Sequence, residues 1–116
     1  MRHNLQLANQ VREALVGLGT VEEKRMFGGL CFMVNGKMCV TVGDHEDHVM
    51  MVRIDPILLT EALSRRGARI AKMNGREYKG YVFVNEEGVK LKRDFDYWMR
   101  LASDFNKKAK TSRKRK

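Results

Sequence analysis

The stretch RMFGGLCFMVNGKMCV, residues 25–40, decides how the rest of this sequence is interpreted. Its glycines and cysteines leave three alternatives: a loop that cradles phosphate, a redox or metal site, or the centre of a small sheet. Apolar residues alternate along the chain on both sides of Asn35-Gly36. Asn-Gly between two alternating runs is the strongest short-range signal of a β-hairpin, because both central turn residues need a positive φ. We therefore interpret the stretch as two strands of a sheet.

The glycine spacing does not match a phosphate-binding loop. Such a loop needs a glycine five residues before its Gly-Lys pair and a Ser or Thr after that pair. Cys31 and Met38 occupy these two positions. The pair Gly28-Gly29 instead predicts a bulge or a close approach within the strand, where a side chain would obstruct packing.

The two cysteines give only a weak signal for redox or metal chemistry. Cys31 and Cys39 are eight positions apart, which is not the two-residue gap of a redox motif or zinc knuckle. We interpret them as small, half-buried apolar residues with reduced thiols. The alternation predicts that they lie near each other across the hairpin, both facing away from the larger apolar side.

The polar run His45-Glu46-Asp47-His48 is the other candidate for metal binding. A zinc-binding helix needs its histidines four apart, whereas these are three apart and lie in a predicted turn. A solvated hairpin tip is the simpler interpretation. The sequence also lacks a nucleophile elbow and a carboxylate pair in an apolar setting. We therefore expect no catalytic residue, no cofactor and no metal, and a protein that is not an enzyme.

The periodicity of apolar residues predicts three helices and about five strands. The last helix is the clearest, because Leu91, Phe95, Trp98, Met99, Ala102 and Phe105 form one apolar face. The predicted fold class is α+β, an antiparallel sheet in the order α-β-β-β-α-β-β-α with the helices on one face. The predicted elements are a helix at 4–17, strands around 30–34, 38–42 and 49–54, and a helix starting at Asp55-Pro56. They continue with strands near 69–73 and 78–84 joined by a turn at Asn74-Gly75, then a turn at 85–88 and the last helix.

Methionine is frequent in the first part of the predicted sheet. Such residues either fill a core or form an adaptable surface for a partner, and the sequence leaves both alternatives open. Trp98, at helical spacing, is expected in the core. The five methionines of this part of the chain are Met26, Met33, Met38, Met50 and Met51.

The net charge of +9 is concentrated at the C-terminus. Residues 1–106, which we predict to be a single domain, carry 16 basic and 14 acidic residues. Residues 107–116 carry seven basic residues and no acid, and we predict a disordered tail that is either a nucleic-acid or acidic-partner arm or a solvated end. The tail cations are Lys107, Lys108, Lys110, Arg113, Lys114, Arg115 and Lys116. A weaker basic cluster consists of Arg65, Arg66, Arg69, Lys72, Arg76 and Lys79.

No apolar run approaches the roughly 18–20 residues that would span a membrane. The first ten residues, MRHNLQLANQ, lack the apolar region of a secretory signal. We expect a cytoplasmic protein without a membrane partner.

Arg25-Met26-Phe27-Gly28-Gly29 and Gly36-Lys37-Met38, together with Trp98, resemble a motif of the N-terminal domain of the TfoX/Sxy family, bacterial regulators of competence genes. The likeness covers about residues 5–106. It implies a fold similar to the secretion-chaperone-like class and a regulatory, non-enzymatic role with a partner in the transcription machinery. Full-length members carry a second, helical domain and act with the cyclic-AMP receptor protein at promoters.

Two functions follow as hypotheses. The first is a stand-alone regulatory or interaction module that touches nucleic acid weakly and without sequence preference through its tail. The alternative is a dimeric peptide- or protein-binding adaptor of the chaperone-like kind, acting through its sheet or its Met-rich surface without a nucleic-acid role.

Overall fold

A computed structural model of the protein describes residues 2–26 and 28–109, with side chains from residue 5 onward. The helices are α1 (Arg2–Ala14), α2 (Leu59–Leu63), α3 (Glu86–Val89) and α4 (Lys92–Asn106), and one 3-10 turn (Pro56–Leu58) precedes α2. The strands are β1 (Val21–Met26), β2 (Gly29–Val34), β3 (Lys37–Gly43), β4 (Met50–Arg53), β5 (Ala68–Met73) and β6 (Arg76–Val84).

The six strands of the described ranges form one antiparallel sheet in the order β1-β2-β3-β4-β6-β5, which confirms the predicted α+β class. The sequence predicted about five strands, and the additional one is β1. This strand has the sequence VEEKRM and is exposed over five of its six residues. It lies at the edge of the sheet and pairs with β2 from Val21 opposite Val34 to Met26 opposite Gly29.

Both Asn-Gly turns are confirmed. The φ angles are 54° at Asn35 and 79° at Gly36, and 54° at Asn74 and 76° at Gly75. These positive values are what a two-residue hairpin between twisted strands needs. The first turn joins β2 to β3, and the second joins β5 to β6.

The glycine pair 28–29 was predicted to form a bulge or a close approach within a strand. Gly28 instead lies in the turn between β1 and β2, whereas Gly29 is the first residue of β2. Gly28 has a φ of 72°. The expectation of a close approach is confirmed at Gly29, where a Cβ would lie 2.3 Å from the carbonyl oxygen of Val42. Any side chain at this position would push β2 away from β3.

The start of the second helical segment is also as predicted. The carboxylate of Asp55 accepts a hydrogen bond of 3.1 Å from the backbone N–H of Ile57, with Pro56 at the first position. The region predicted as a turn at 85–88 contains the short helix α3, which Asn85 caps by accepting a 3.1 Å hydrogen bond from the N–H of Gly88.

The sheet separates two apolar clusters. The main core lies between the sheet and helices α1, α2 and α4, and it contains Phe32, Val40, Met50 and Trp98. Successive residues of a strand point to opposite faces of the sheet. The second cluster is therefore formed by the side chains on the face away from the main core. It contains Cys31, Met33, Met38, Met51, Ala71 and Phe83, with Met73 and Tyr81 packed against them.

A register shift changes the expected position of one cysteine. Phe32 lies opposite Val40, but Met33 lies opposite Met38, so that Cys39 is an additional residue in β3. Cys31 therefore belongs to the second cluster, whereas Cys39 belongs to the main core. The prediction that both face away from the larger apolar side is wrong for Cys39, because a bulge interrupts the alternation on which it was based.

Candidate functional site

Lys37 of the glycine-rich motif connects the first Asn-Gly hairpin to the last helix. Its Nζ donates a 2.6 Å hydrogen bond to the carbonyl oxygen of Asn106, the last residue of α4. The Nδ2 of Asn106 in turn donates a 3.2 Å hydrogen bond to the carbonyl oxygen of Val34. Carbonyl groups at a helix C-terminus lack intrahelical partners, and a cation there also interacts favourably with the helix dipole.

The other motif residues shape the hairpins. Arg25 and Met26 are exposed at the end of β1, Gly28 lies in the following turn and Gly29 begins β2. Met38 is buried in the second apolar cluster. Phe27 lies outside the described residues. In the described part of the motif, backbone geometry and packing thus account for the glycines and for Met38.

The predicted nucleic-acid-binding residues begin directly after α4. Lys107 and Lys108 are exposed. The Nζ of Lys108 lies 2.9 Å from the carboxylate of Asp55, and this hydrogen bond, together with that from the N–H of Ile57, lowers the pKa of Asp55. The remaining five residues, Lys110, Arg113, Lys114, Arg115 and Lys116, lie outside the described residues.

The six cations of the weaker basic cluster lie in different surroundings. Arg69 pairs with Asp47, and its guanidinium carbon lies 5.4 Å from the centre of the Phe83 ring. Arg65 stacks on Tyr97 at 3.6 Å. Lys72 lines a cavity on the face of the sheet that carries the second apolar cluster. Arg76 and Lys79 are exposed on β6. The cluster predicted from sequence is therefore not one continuous patch.

Arg65 and Arg66 instead meet residues of α4. Together with Arg93, Tyr97 and Trp98 they line an opening of about 240 Å³. This arrangement was not predicted from the sequence. The only sequence signal for it is that Arg93 and Tyr97, four residues apart, lie on one face of α4.

The two histidines of the predicted hairpin tip stack on each other. The ring of His48 lies 3.7 Å from that of Phe83 and 4.4 Å from that of His45. Burial, and then His45, lower the pKa of His48 to about 4. The carboxylate of Asp47 lies 2.7 Å from Nδ1 of His48 and favours the charged ring, so it opposes this decrease in pKa. Because that carboxylate is half exposed and also pairs with Arg69, the effect of burial on the pKa is larger.

Neither the histidines nor the cysteines form a metal-binding group in the described part of the chain. Over residues 2–26 and 28–109, no three His, Cys, Asp or Glu side chains are placed to hold an ion together. Both cysteines are free and buried. Burial raises the pKa of Cys31 to about 11 and that of Cys39 to about 12, so both thiols stay protonated and poorly nucleophilic at neutral pH.

The helices of the described ranges are too short or too polar to cross a membrane.

These features define a small α+β domain built on one antiparallel sheet, with charged side chains at the end of its last helix and around the start of that helix. The family model of the TfoX N-terminal domain matches residues 13–106. Because this match covers most of the 116 residues, the chain belongs to the TfoX N-terminal domain family, and the resemblance seen in the sequence is confirmed. At the level of the family it is a regulatory, competence-related domain. A search of curated proteins found no match to the chain.

Proposed function

We propose that this protein is a non-enzymatic regulatory module that contacts nucleic acid weakly and without sequence preference through residues 107–116. One observation carries the proposal. The last helix ends at Asn106, and the ten residues that follow hold seven Lys or Arg and no acid. The first two of these cations, Lys107 and Lys108, are exposed.

The anchored end of α4 supports this role because it fixes where the basic segment leaves the domain. Asn106 is held by Lys37 and by the carbonyl oxygen of Val34. Lys and Arg side chains beyond that point would neutralise phosphates and release counterions, which gives affinity but no readout of base edges. Residues 107–116 also contain no aromatic side chain that could stack on a base.

A salt titration tests the proposal. Anisotropy of a labelled duplex would be measured with the full chain and with a chain truncated after Asn106, between about 50 and 200 mM salt. The expected slope of log affinity against log salt is about −0.9 per phosphate contacted, and truncation should flatten it by several units. The melting temperature should stay nearly the same, because the cut follows the last residue of α4.

A matched control removes charge from the domain instead. Lys72→Gln, Arg76→Gln and Lys79→Gln together neutralise three exposed cations of β5 and β6 and should leave most of the slope in place. Equal binding by the full and the truncated chain at low salt would contradict the proposal and favour the adaptor.

The dimeric adaptor is the second candidate, and the edge position of β1 favours it. Within the described ranges β1 pairs with β2 alone, so its outer backbone groups are free to add a strand from another chain. The Met-rich surface is less suitable, because Met33, Met38 and Met51 are only 8%, 6% and 2% exposed. Sedimentation over a wide range of protein concentration tests this candidate. A monomer at every concentration would exclude a homodimer.

A further inference from the structure

An opening lies between the loop after α2 and the first half of α4. Its volume is about 240 Å³, and its main lining residues are Arg65, Arg66, Arg93, Ser64, Tyr97 and Trp98. We name it the arginine pocket. Three arginines and a single acidic residue, Asp94, line the opening, and the carboxylate of Asp94 lies 3.8 Å from Nε of Arg93. The lining is therefore clearly positive.

The guanidinium group of Arg65 is held in place by an aromatic ring. Its carbon lies 3.6 Å from the centre of the Tyr97 ring, and Tyr97 is only 9% exposed because it packs edge-on against Trp98. The N–H groups of a guanidinium lie in its own plane, so stacking fixes the plane and leaves these donors available. In a site of this kind less entropy is lost when a ligand binds.

Among the residues that the structure describes, neither Arg65 nor Arg66 forms an ion pair with a carboxylate. The hydroxyl of Ser64 already donates a 2.7 Å hydrogen bond to the carbonyl oxygen of Glu61, so the arginines supply the donors. Paired planar donors with an excess of positive charge match a phosphate group, which accepts bidentate hydrogen bonds from arginine.

We propose that the arginine pocket binds a phosphate group, either of a nucleic-acid backbone or of a small phosphate ester. The pocket is distinct from the basic segment 107–116, because α4 separates Arg93 from Lys107 by roughly 20 Å at the rise of an α-helix. The proposal does not depend on the function of that segment.

Trp98 makes a direct test possible, because it is the only tryptophan of the chain and lines the pocket. The full chain would be titrated with inorganic phosphate at constant ionic strength, with chloride as the replaced anion. Fluorescence of Trp98 and isothermal titration calorimetry would be recorded together, so that binding without a change in fluorescence is still detected. We expect saturable binding that is at least tenfold weaker in the double variant Arg65→Gln/Arg66→Gln.

Two further variants separate the pocket from general charge. Arg76→Gln/Lys79→Gln removes the same charge from residues that do not line the pocket and should leave phosphate binding unchanged. Tyr97→Leu keeps all three arginines but removes the stacking partner of Arg65, and should weaken binding severalfold. Circular dichroism would confirm that each variant is folded. Absence of saturable binding, or equal affinity of the Arg65→Gln/Arg66→Gln variant and the original chain, would overturn the proposal.

An oligonucleotide without terminal phosphates identifies the source of the phosphate. It would be tested with a full-length chain whose cations at 107, 108, 110 and 113–116 are changed to Gln. Binding that inorganic phosphate displaces, and that Arg65→Gln/Arg66→Gln weakens, indicates a nucleic-acid backbone. Binding of free phosphate alone indicates a small phosphate ester. The basic segment is neutralised in this experiment, so its result depends on the arginine pocket alone. A negative result here would therefore be independent of a negative result in the salt titration, which tests residues 107–116.

Discussion

The ammonium group of Lys37 and the carbonyl oxygen of Asn106 are joined by a 2.6 Å hydrogen bond, although the two residues are 69 positions apart in the chain. Lys37 follows the Asn35-Gly36 turn, and Asn106 ends α4. Since the side chain of Asn106 also donates to Val34, the hairpin and the helix end stabilise each other. This connection gives Lys37 of the motif a structural role in the domain.

We expect Asn106→Ala to lower the free energy of unfolding by roughly 1–3 kcal/mol. Asn106 is only 5% exposed, so its amide donor to the carbonyl oxygen of Val34 would not be replaced freely by water. Urea denaturation measures the change. Lys107→Ala, at the exposed neighbouring position, is the control and should have little effect. Similar values for the two variants would contradict the assigned role of Asn106.

Gly36→Val should destabilise the protein by about 1–2 kcal/mol. Gly36 has a φ of 79°, and a Cβ built there meets no atom within 4 Å, so the cost arises from backbone conformation and not from a clash. Gly36→Asn should cost less, because asparagine tolerates positive φ. Thermal melting compares the two. An unchanged melting temperature in the valine variant would mean that this turn is wrongly assigned.

Stability should decrease as the pH falls below about 6.5. Burial lowers the pKa of folded His48 to about 4, so the unfolded chain binds a proton more readily between these two values and is favoured there. We expect a loss of roughly 1 kcal/mol between pH 7.5 and 5.5, because the unfolded chain takes up a proton over this range and folded His48 does not. Denaturation at both pH values measures it. His48→Phe keeps the stack on Phe83 and should show a smaller difference.

Treatment with a chelator should leave the thermal midpoint unchanged. His45 and His48 are stacked on each other, and the two cysteines lie on opposite faces of the sheet, so neither pair has the geometry of a structural zinc site. Differential scanning calorimetry with and without EDTA checks this expectation. A large drop that added zinc reverses would show that one of these groups does bind a metal.

The elements that sequence predicted correctly are those with a local signal. The Asn-Gly turns follow from backbone geometry at two adjacent residues, and α4 from the spacing of its buried face, including Phe95 and Trp98. Strand β1 was missed because four of its six residues are charged and show no alternation. Helix α3 was taken for a turn because four residues are too few to establish a helical period.

The candidate sites, too, could be predicted from the sequence only where the signal is local. The tail cations and the pair Arg65 and Arg66 are evident in the sequence, because they are neighbours along the chain. Their meeting with Tyr97 and Arg93 depends on how the loop after α2 packs against α4, which no local pattern encodes. The connection between Lys37 and Asn106 was unpredictable for the same reason, since it joins two residues that are 69 positions apart in the chain.

Met50 and Met51 are consecutive in β4, yet one is buried among the side chains beneath the helices and the other on the far side of the sheet. A single layer of backbone thus acts as a partition between two apolar compartments. A change of side-chain volume in one compartment reaches the other only if the strands themselves move. The domain can therefore tolerate remodelling of its methionine-containing face while the packing beneath its helices stays intact.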